Sequence, residues 1–284
     1  MRKKPVSHRI RDIVFGLLSF VLSAIFVLLS VCIVAEVTVF NKTLWFDNMN
    51  QSDYFVDKTD EVKKSLMDLG YASGLNEEFF EELVDTVMVT SDTQAYIDNY
   101  FDGSDDVVDT TPFKQSFNDA LDEYIVKNGI ENVNSNNRNY LIKEAARIYR
   151  RTLEIPLFTR ISVYFQTIKK YLPIAIAAFS AVAVILILVF VFANSWKHRS
   201  AKYIYYSLAG AFLSDLAAAI FVSVNGGISK INLESRALYN FVVYTVNNAN
   251  IAIWFCAVVF LLLAVAMFFI YRTIYLKVTS NGSD

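Results

Sequence analysis

Asp215 is the residue whose type and place first invite chemistry. It stands in an otherwise uncharged stretch, Tyr203 to Val224. An ionisable group within hydrocarbon costs about 2.5–3.5 kcal/mol on insertion scales, so it persists where something satisfies it or uses it. The uses would be proton or substrate coupling, or pairing with a partner's cation. The bland alternative, and the expected one, is a hydrogen bond to a neighbouring helix. Gly210, Ser214 and Ala218 recur every fourth residue around it, a spacing that lets a second helix approach closely. No Lys or Arg lies at a similar depth in this chain.

Other reactive side chains are sparse. Two His and two Cys are too few for a zinc site or a disulfide framework. His8 and His198 flank apolar stretches, and no His falls between residues 36 and 171. Neither a Ser-His-Asp arrangement nor a His-rich zinc site can form there. Cys32 and Cys256 lie in apolar stretches, where a free thiol behaves as a small hydrophobe. Asp98, Asp102, Gly103, Ser104, Asp106 and Asp109 follow the register of a calcium loop. Tyr100 occupies a position that needs an oxygen ligand, and Asp109 stands where a bidentate Glu belongs. An acidic helix end and loop is expected instead. There is no Gly-rich phosphate loop. Adjacent acids such as Glu77 and Glu78 point in different directions on a helix. No catalytic residue, cofactor-binding residue, metal ligand or nucleic-acid partner is therefore expected.

The elements that hold these residues are mostly apolar. The chain has 284 residues, 55% hydrophobic and 19% charged, against about 25% charged in average soluble domains. The excess is concentrated in four stretches. A hydrocarbon core about 30 Å thick needs roughly 20 apolar residues in a helix. Spans are expected at 13–35, 172–194, 203–224 and 251–271, giving an all-α membrane protein. Trp45, Trp196, Trp254 and several Tyr fall at span ends, as in an interfacial aromatic belt. The basic start, Arg2, Lys3 and Lys4, suits a signal peptide. However, the apolar run exceeds a signal core of roughly 7–15 residues and no small-x-small site follows it. An uncleaved anchor is expected.

Orientation follows from Lys and Arg in the short segments. Arg2, Lys3, Lys4, Arg9, Arg11, Lys197, Arg199, Lys202, Arg272 and Lys277 share one side if both termini are cytoplasmic. This predicts a cytoplasmic N-terminus at 1–12, a cytoplasmic loop at 195–202 and a cytoplasmic tail at 272–284. The outer segments are then a large domain at 36–171 and a short loop at 225–250.

The outer domain reads as helical. Phe79, Phe80, Leu83, Val84, Val87 and Met88 repeat at helical spacing behind Asn76, an N-cap candidate. Ser91-Asp92-Thr93-Gln94 fits a capping box. Thr111-Pro112 starts a helix, Asn128-Gly129 ends it, and a further one runs from Ser135 until Pro156 breaks it. Charge is split along the domain. Residues 37–137 hold 21 acidic and 6 basic side chains, a net of −15, and residues 138–171 hold 2 and 8, a net of +6. Arg147, Arg150, Arg151, Arg160, Lys169 and Lys170 form that basic end. It reads either as a collar on anionic lipid or envelope polymer, or as a solvated helix face beside the acidic lobe, which is the expected reading.

Ser73-Gly74-Leu75 leads into Phe79, Phe80 and Leu83. Tyr96-Ile97, Tyr100 and Gly103 follow, then Phe113, Phe117, Leu121 and Tyr124. With the four-span layout these resemble uncharacterised polytopic membrane proteins of Gram-positive bacteria. The resemblance implies a helical extracytoplasmic domain and a plasma-membrane location, and it brings no functional residues with it. In topology alone the layout is similar to FtsX-like permease subunits, whose outer domain would contain strands that the pattern here lacks. The expected function is a non-enzymatic binding, sensing or accessory module of the envelope. It would meet the lipid bilayer and a protein partner in the membrane or envelope, and a homo-oligomer is compatible with it. The alternative is a transporter or permease subunit using Asp215.

Overall fold

The computed structural model describes residues 6–280 apart from 105–106, 132, 157, 195–196 and 226–232. Among these residues it is all helical: α1 (Val6–Thr38), α2 (Lys42–Gln51), α3 (Tyr54–Ser73), α4 (Glu77–Leu83), α5 (Thr86–Asp102), α6 (Thr111–Lys127), α7 (Ser135–Leu153), α8 (Phe158–Ala193), α9 (Lys197–Asn225) and α10 (Arg236–Ser280). Four stretches, Ile10–Thr38, Arg160–Ala193, Lys197–Val224 and Arg236–Thr279, are long and apolar enough to cross a membrane.

The chain divides into an apolar unit and a polar unit. The apolar unit takes α1, α9, α8 from Lys169 and α10 from Val246. Its core gathers Phe15, Leu22, Phe26, Phe190, Tyr203, Ile204, Leu208 and Ala211. The Phe15, Phe190 and Tyr203 rings stand within 6 Å of one another by centroid. α1 and α9 pack most closely, and the small residues of α9 explain why. A Cβ placed on Gly210 would lie 2.5 Å from the Ser23 hydroxyl and 3.4 Å from its Cβ, so a side chain there would have to displace Ser23 from the contact.

The polar unit takes α2 to α7, the start of α8 and the first turns of α10. α3 sits at its centre, against α2, α4, α5 and α7. Its Tyr54, Phe55, Val62 and Leu66 are buried at near-helical intervals. One aromatic cluster joins α2, α5, α8 and α10. Trp45 meets Phe101, Phe158, Phe165 and Phe241 at 5.1–6.4 Å, and Tyr100 stacks on Phe158 at 4.3 Å. Another joins α6 and α7, where Phe113 stacks on Tyr149 at 4.1 Å. Gly103 ends α5 with φ +69, and a Cβ there would press on the Gln166 amide. That amide donates to the Tyr100 carbonyl in the last turn, which also accepts from the Gly103 N–H at 3.4 Å.

Several expectations are corrected. The helix expected from Asn76 through Met88 is two helices. Val84 is extended, and the Asp85 carboxylate caps α5 by accepting from the Met88 N–H at 2.7 Å. Ser91-Asp92-Thr93-Gln94 therefore lies inside α5 and caps nothing. Trp45 belongs to no interfacial belt but to the aromatic core of the polar unit, and Trp196 lies outside the described residues. The segment 225–250 is not simply a loop, because α10 begins at Arg236. Thr111-Pro112, Asn128-Gly129 and the break around Pro156 stand as expected.

Candidate functional site

A polar seam runs along the α1–α9 contact of the apolar unit. Near its start the Tyr203 hydroxyl donates to Asp12 at 3.3 Å. The Ser19 and Ser207 hydroxyls lie 2.9 Å apart, and each also reaches a backbone carbonyl across the pair, Ser19 to Tyr203 and Ser207 to Ser19. Ser23 and Gly210 follow, and with Gly16, Ser19, Phe20 and Tyr206 they line a cleft of about 240 Å³. Then Ser30 Oγ donates to Asp215 Oδ1 at 3.0 Å. The seam is built because Ser19, Ser23 and Ser30 on α1, and Tyr203, Ser207 and Asp215 on α9, are spaced by four, seven or eight residues, close to one or two helical turns, so each set shares one face. In a dry interface each shared hydroxyl bond is worth about 0.6–2 kcal/mol.

Asp215 is 3% exposed. Its Oδ2 atom is buried and has no hydrogen-bond partner among the described residues. The bond from Ser30 is the helix-to-helix bond expected of it. Of the small-residue stripe, only Gly210 faces α1. Ser214 and Ala218 are exposed, and Ser214 turns its hydroxyl back to the Gly210 carbonyl at 3.0 Å. The buried face lies one position on, at Ala211, Asp215 and Ala219.

The basic end divides in two. On α7, Arg147 pairs with Glu144, Arg150 stands 3.8 Å from Glu154, and Arg138 reaches Asp122 at 2.6 Å. Arg151 is exposed on the same helix. Lys169 and Lys170 lie on α8, where the Lys170 ammonium stands 5.7 Å from the centre of the Tyr171 ring. The calcium-loop register is not brought together. Asp98 and Asp102 are within α5, Asp98 is paired with Lys42 at 2.8 Å, and Asp109 accepts from the Thr111 N–H at 2.9 Å. Asp106 lies outside the described residues. Among the described residues no cluster of three or more His, Cys, Asp or Glu could hold a metal ion.

Sequence reasoning missed a clamp in the polar unit. Glu61 of α3 accepts from the Ala237 N–H at 3.1 Å and from the Ser235 hydroxyl at 2.9 Å. Lys58, 4% exposed, donates to the same carboxylate at 2.8 Å. One turn away, Asp57 accepts from the Asn240 amide at 3.0 Å and stands 3.5 Å from Arg236. The Glu61 carboxylate thus satisfies one orphan donor at the start of α10, the Ala237 N–H, and complements the dipole, while Ser235 Oγ accepts from the Leu238 N–H at 3.1 Å. Burial alone would raise the Glu61 carboxyl. The Lys58 ammonium and the Ala237 and Ser235 donors outweigh it and hold the group below its usual range. The spacing Asp57, Lys58, Glu61 was the only signal, and its partners lie more than 170 residues on. A second missed pair joins α5 to α7: the Tyr149 hydroxyl donates to Asp92 at 2.6 Å. Burial raises the Asp92 carboxyl and this bond partly offsets the rise. Burial and the donation to Asp92 push the Tyr149 hydroxyl up.

No protein-family model, curated protein or solved structure matches this chain. What it can do is carried by its own geometry.

Proposed function

We propose that the chain is a plasma-membrane protein of the cell envelope that acts by binding or sensing through an extracytoplasmic polar unit, with both termini in the cytoplasm and no catalytic role. The observation that carries this reading is the course of α10. Its first turns are gripped by Glu61 and Asp57 inside the polar unit, and the same helix runs on for 45 residues in all. α8 likewise supplies both units without a break. A helix of α10's length is about 65 Å long. The excess of cations in the short segments supports the orientation.

The test is photocrosslinking in intact cells, with full-length protein carrying the photoreactive residue at Tyr71, Val87 or Tyr140, all strongly exposed. A discrete adduct with one envelope protein or polymer is expected. Adducts with lipid alone, or none from any position, would contradict a binding role.

One observation favours a second reading, a transporter or permease subunit: the Asp215 Oδ2 atom is buried without a hydrogen-bond partner among the described residues. Flux through reconstituted protein that vanishes in Asp215→Asn, while folding is unchanged, would support it. Flux that is absent, or the same in both, would not.

A further inference from the structure

The α1–α9 seam satisfies most of its hydroxyls internally. Ser19 and Ser207 bond each other, and Ser30 bonds Asp215. Ser23 differs. It is 9% exposed, it lines the cleft of about 240 Å³, and its hydroxyl donates to nothing among the described residues. A buried hydroxyl without an acceptor costs free energy, so its place calls for an acceptor that enters the cleft. The cleft opens on an apolar side. Phe20 on its wall is strongly exposed, as are Ile13 and Leu17 beside it. A Cβ on Gly16 would meet nothing within 4 Å. Because α1 is long and apolar enough to cross a membrane, lipid is what reaches this side. Pockets that enclose a drug-sized molecule measure about 300–1,000 Å³. This one is smaller, and its hydroxyls among apolar walls suit the glycerol ester region of a single lipid.

A cation stands at one end of the cleft. Lys202, Tyr206 and Gly210 follow at four-residue intervals, within a sector of roughly 80° on α9. The Lys202 ammonium lies 5.4 Å from the centre of the Tyr206 ring and 5.9 Å from that of Tyr203. α9 begins with Lys197 and Arg199 and carries no acid before Asp215. The acid facing this end from α1 is Asp12. It accepts from the Tyr203 hydroxyl at 3.3 Å and stands 4.0 Å from Arg199, so Arg199 is the cation that answers it. Lys202 forms no ion pair among the described residues. The apolar run from Tyr203 to Val224 starts immediately after it, which puts its ammonium at the hydrocarbon edge. Ser19 meets Ser207 and Ser30 meets Asp215, so α1 and α9 run parallel. Gly16 and Tyr206 therefore form the end of the cleft near Lys202, and Ser23 and Gly210 form the other. Tyr206 and Gly210 are about 6 Å apart along the axis, close to the headgroup layer's depth of about 5–7 Å.

We infer that the α1–α9 cleft is a binding site for one anionic phospholipid. Its phosphate meets the Lys202 ammonium, its glycerol lies against Gly16 and Tyr206, and an ester carbonyl accepts from the Ser23 hydroxyl. The lysine stem lies along the apolar surface while its charge stays at phosphate level. This goes beyond the envelope role proposed above. It needs the apolar helices to lie in lipid, and it depends neither on which side of the membrane the polar unit faces nor on what that unit binds.

The test uses the full-length protein in phosphatidylcholine bilayers doped with phosphatidylglycerol or phosphatidylcholine that carries a diazirine high on one acyl chain. Adducts at residues 16–23 and 206–210 are mapped by mass spectrometry and counted against those at the exposed Val182 and Ile185 of α8. A near-surface cation is worth roughly fivefold at most. Cleft adducts of the wild type should favour phosphatidylglycerol severalfold, up to about that limit. The preference should fall to parity in Lys202→Gln and persist in Lys202→Arg. Gly16→Leu puts a side chain where a Cβ has open space. It should remove the cleft adducts of both lipids and leave those on α8, which separates occupancy of the cleft from attraction by charge alone. Thermal melts identify a variant that fails to fold, and the Lys202 pair then decides. Equal cleft adducts of the two lipids on the wild type overturn the proposal. So does a preference untouched by Lys202→Gln, or cleft labelling unchanged in a folded Gly16→Leu. Spontaneous disulfide dimers of Phe20→Cys in a Cys32→Ala/Cys256→Ala background, with no cleft adducts, would give the cleft to a second copy and overturn it too.

Discussion

Protonation decides what Glu61 contributes. Its carboxyl is held below the ordinary range when folded, so its contribution is present above the unfolded value and is lost as pH falls through the folded one. Hydrogen bonds to a charged group are worth about 1.5–3 kcal/mol. Thermal melts of the full-length protein from neutral pH to about pH 3 should show wild type losing stability on acidification. Glu61→Gln should start lower and change less. Asp92 has the opposite sign. Burial raises it, so the folded state gains as pH falls. Tyr149→Phe leaves Asp92 half-buried without its donor and should cost about 1–3 kcal/mol at neutral pH. The cost should shrink in acid, where the carboxyl takes up a proton. A penalty that grows in acid would show that the Tyr149 bond is not what holds Asp92. In the apolar unit, Gly210→Leu forces a side chain into Ser23. It should destabilise by about 1–3 kcal/mol in a detergent melt, whereas Ser214→Leu, on the exposed side, should be nearly neutral.

Elements were legible in proportion to how local their signals are. The four long apolar helices follow from hydropathy because each carries about 20 predominantly apolar residues in series. Thr111-Pro112 and Asn128-Gly129 mark the ends of α6 through backbone geometry that needs no partner. α3 was hidden, although it is the centre of the polar unit. Its buried face includes Lys58 and Thr59, polar types that mask the helical period. Lys58 is tolerable there only because Glu61 and Ser235 receive its ammonium. The α4–α5 break was hidden because Asp85 interrupts an otherwise continuous apolar pattern. Its role as a cap is testable: Asp85→Ala should cost about 0.5–2 kcal/mol by thermal melting, and Asp85→Ser should recover most of it. Trp45 misled for a related reason. A Trp shortly after an apolar run suits an interface, but four aromatic rings drawn from three other helices surround this one. For Asp215 the sequence exposed the anomaly of a charge in a span, while its donor, Ser30, lies 185 residues away.

At the scale of the whole molecule, two kinds of chemistry share one chain. Small hydroxyls and a glycine bring α1 and α9 together in the apolar unit. Aromatic rings and buried carboxylates organise the polar unit. α8 and α10 belong to both, so the account stands on which side of the membrane the polar unit faces. The direct measurement is labelling of single cysteines in intact cells by a membrane-impermeant maleimide, in a Cys32→Ala/Cys256→Ala background. Val126→Cys, at an 81% exposed position of the polar unit, should react in intact cells, and Lys277→Cys only after permeabilisation. The opposite pattern, with Lys277→Cys labelled outside and Val126→Cys protected, would contradict the account.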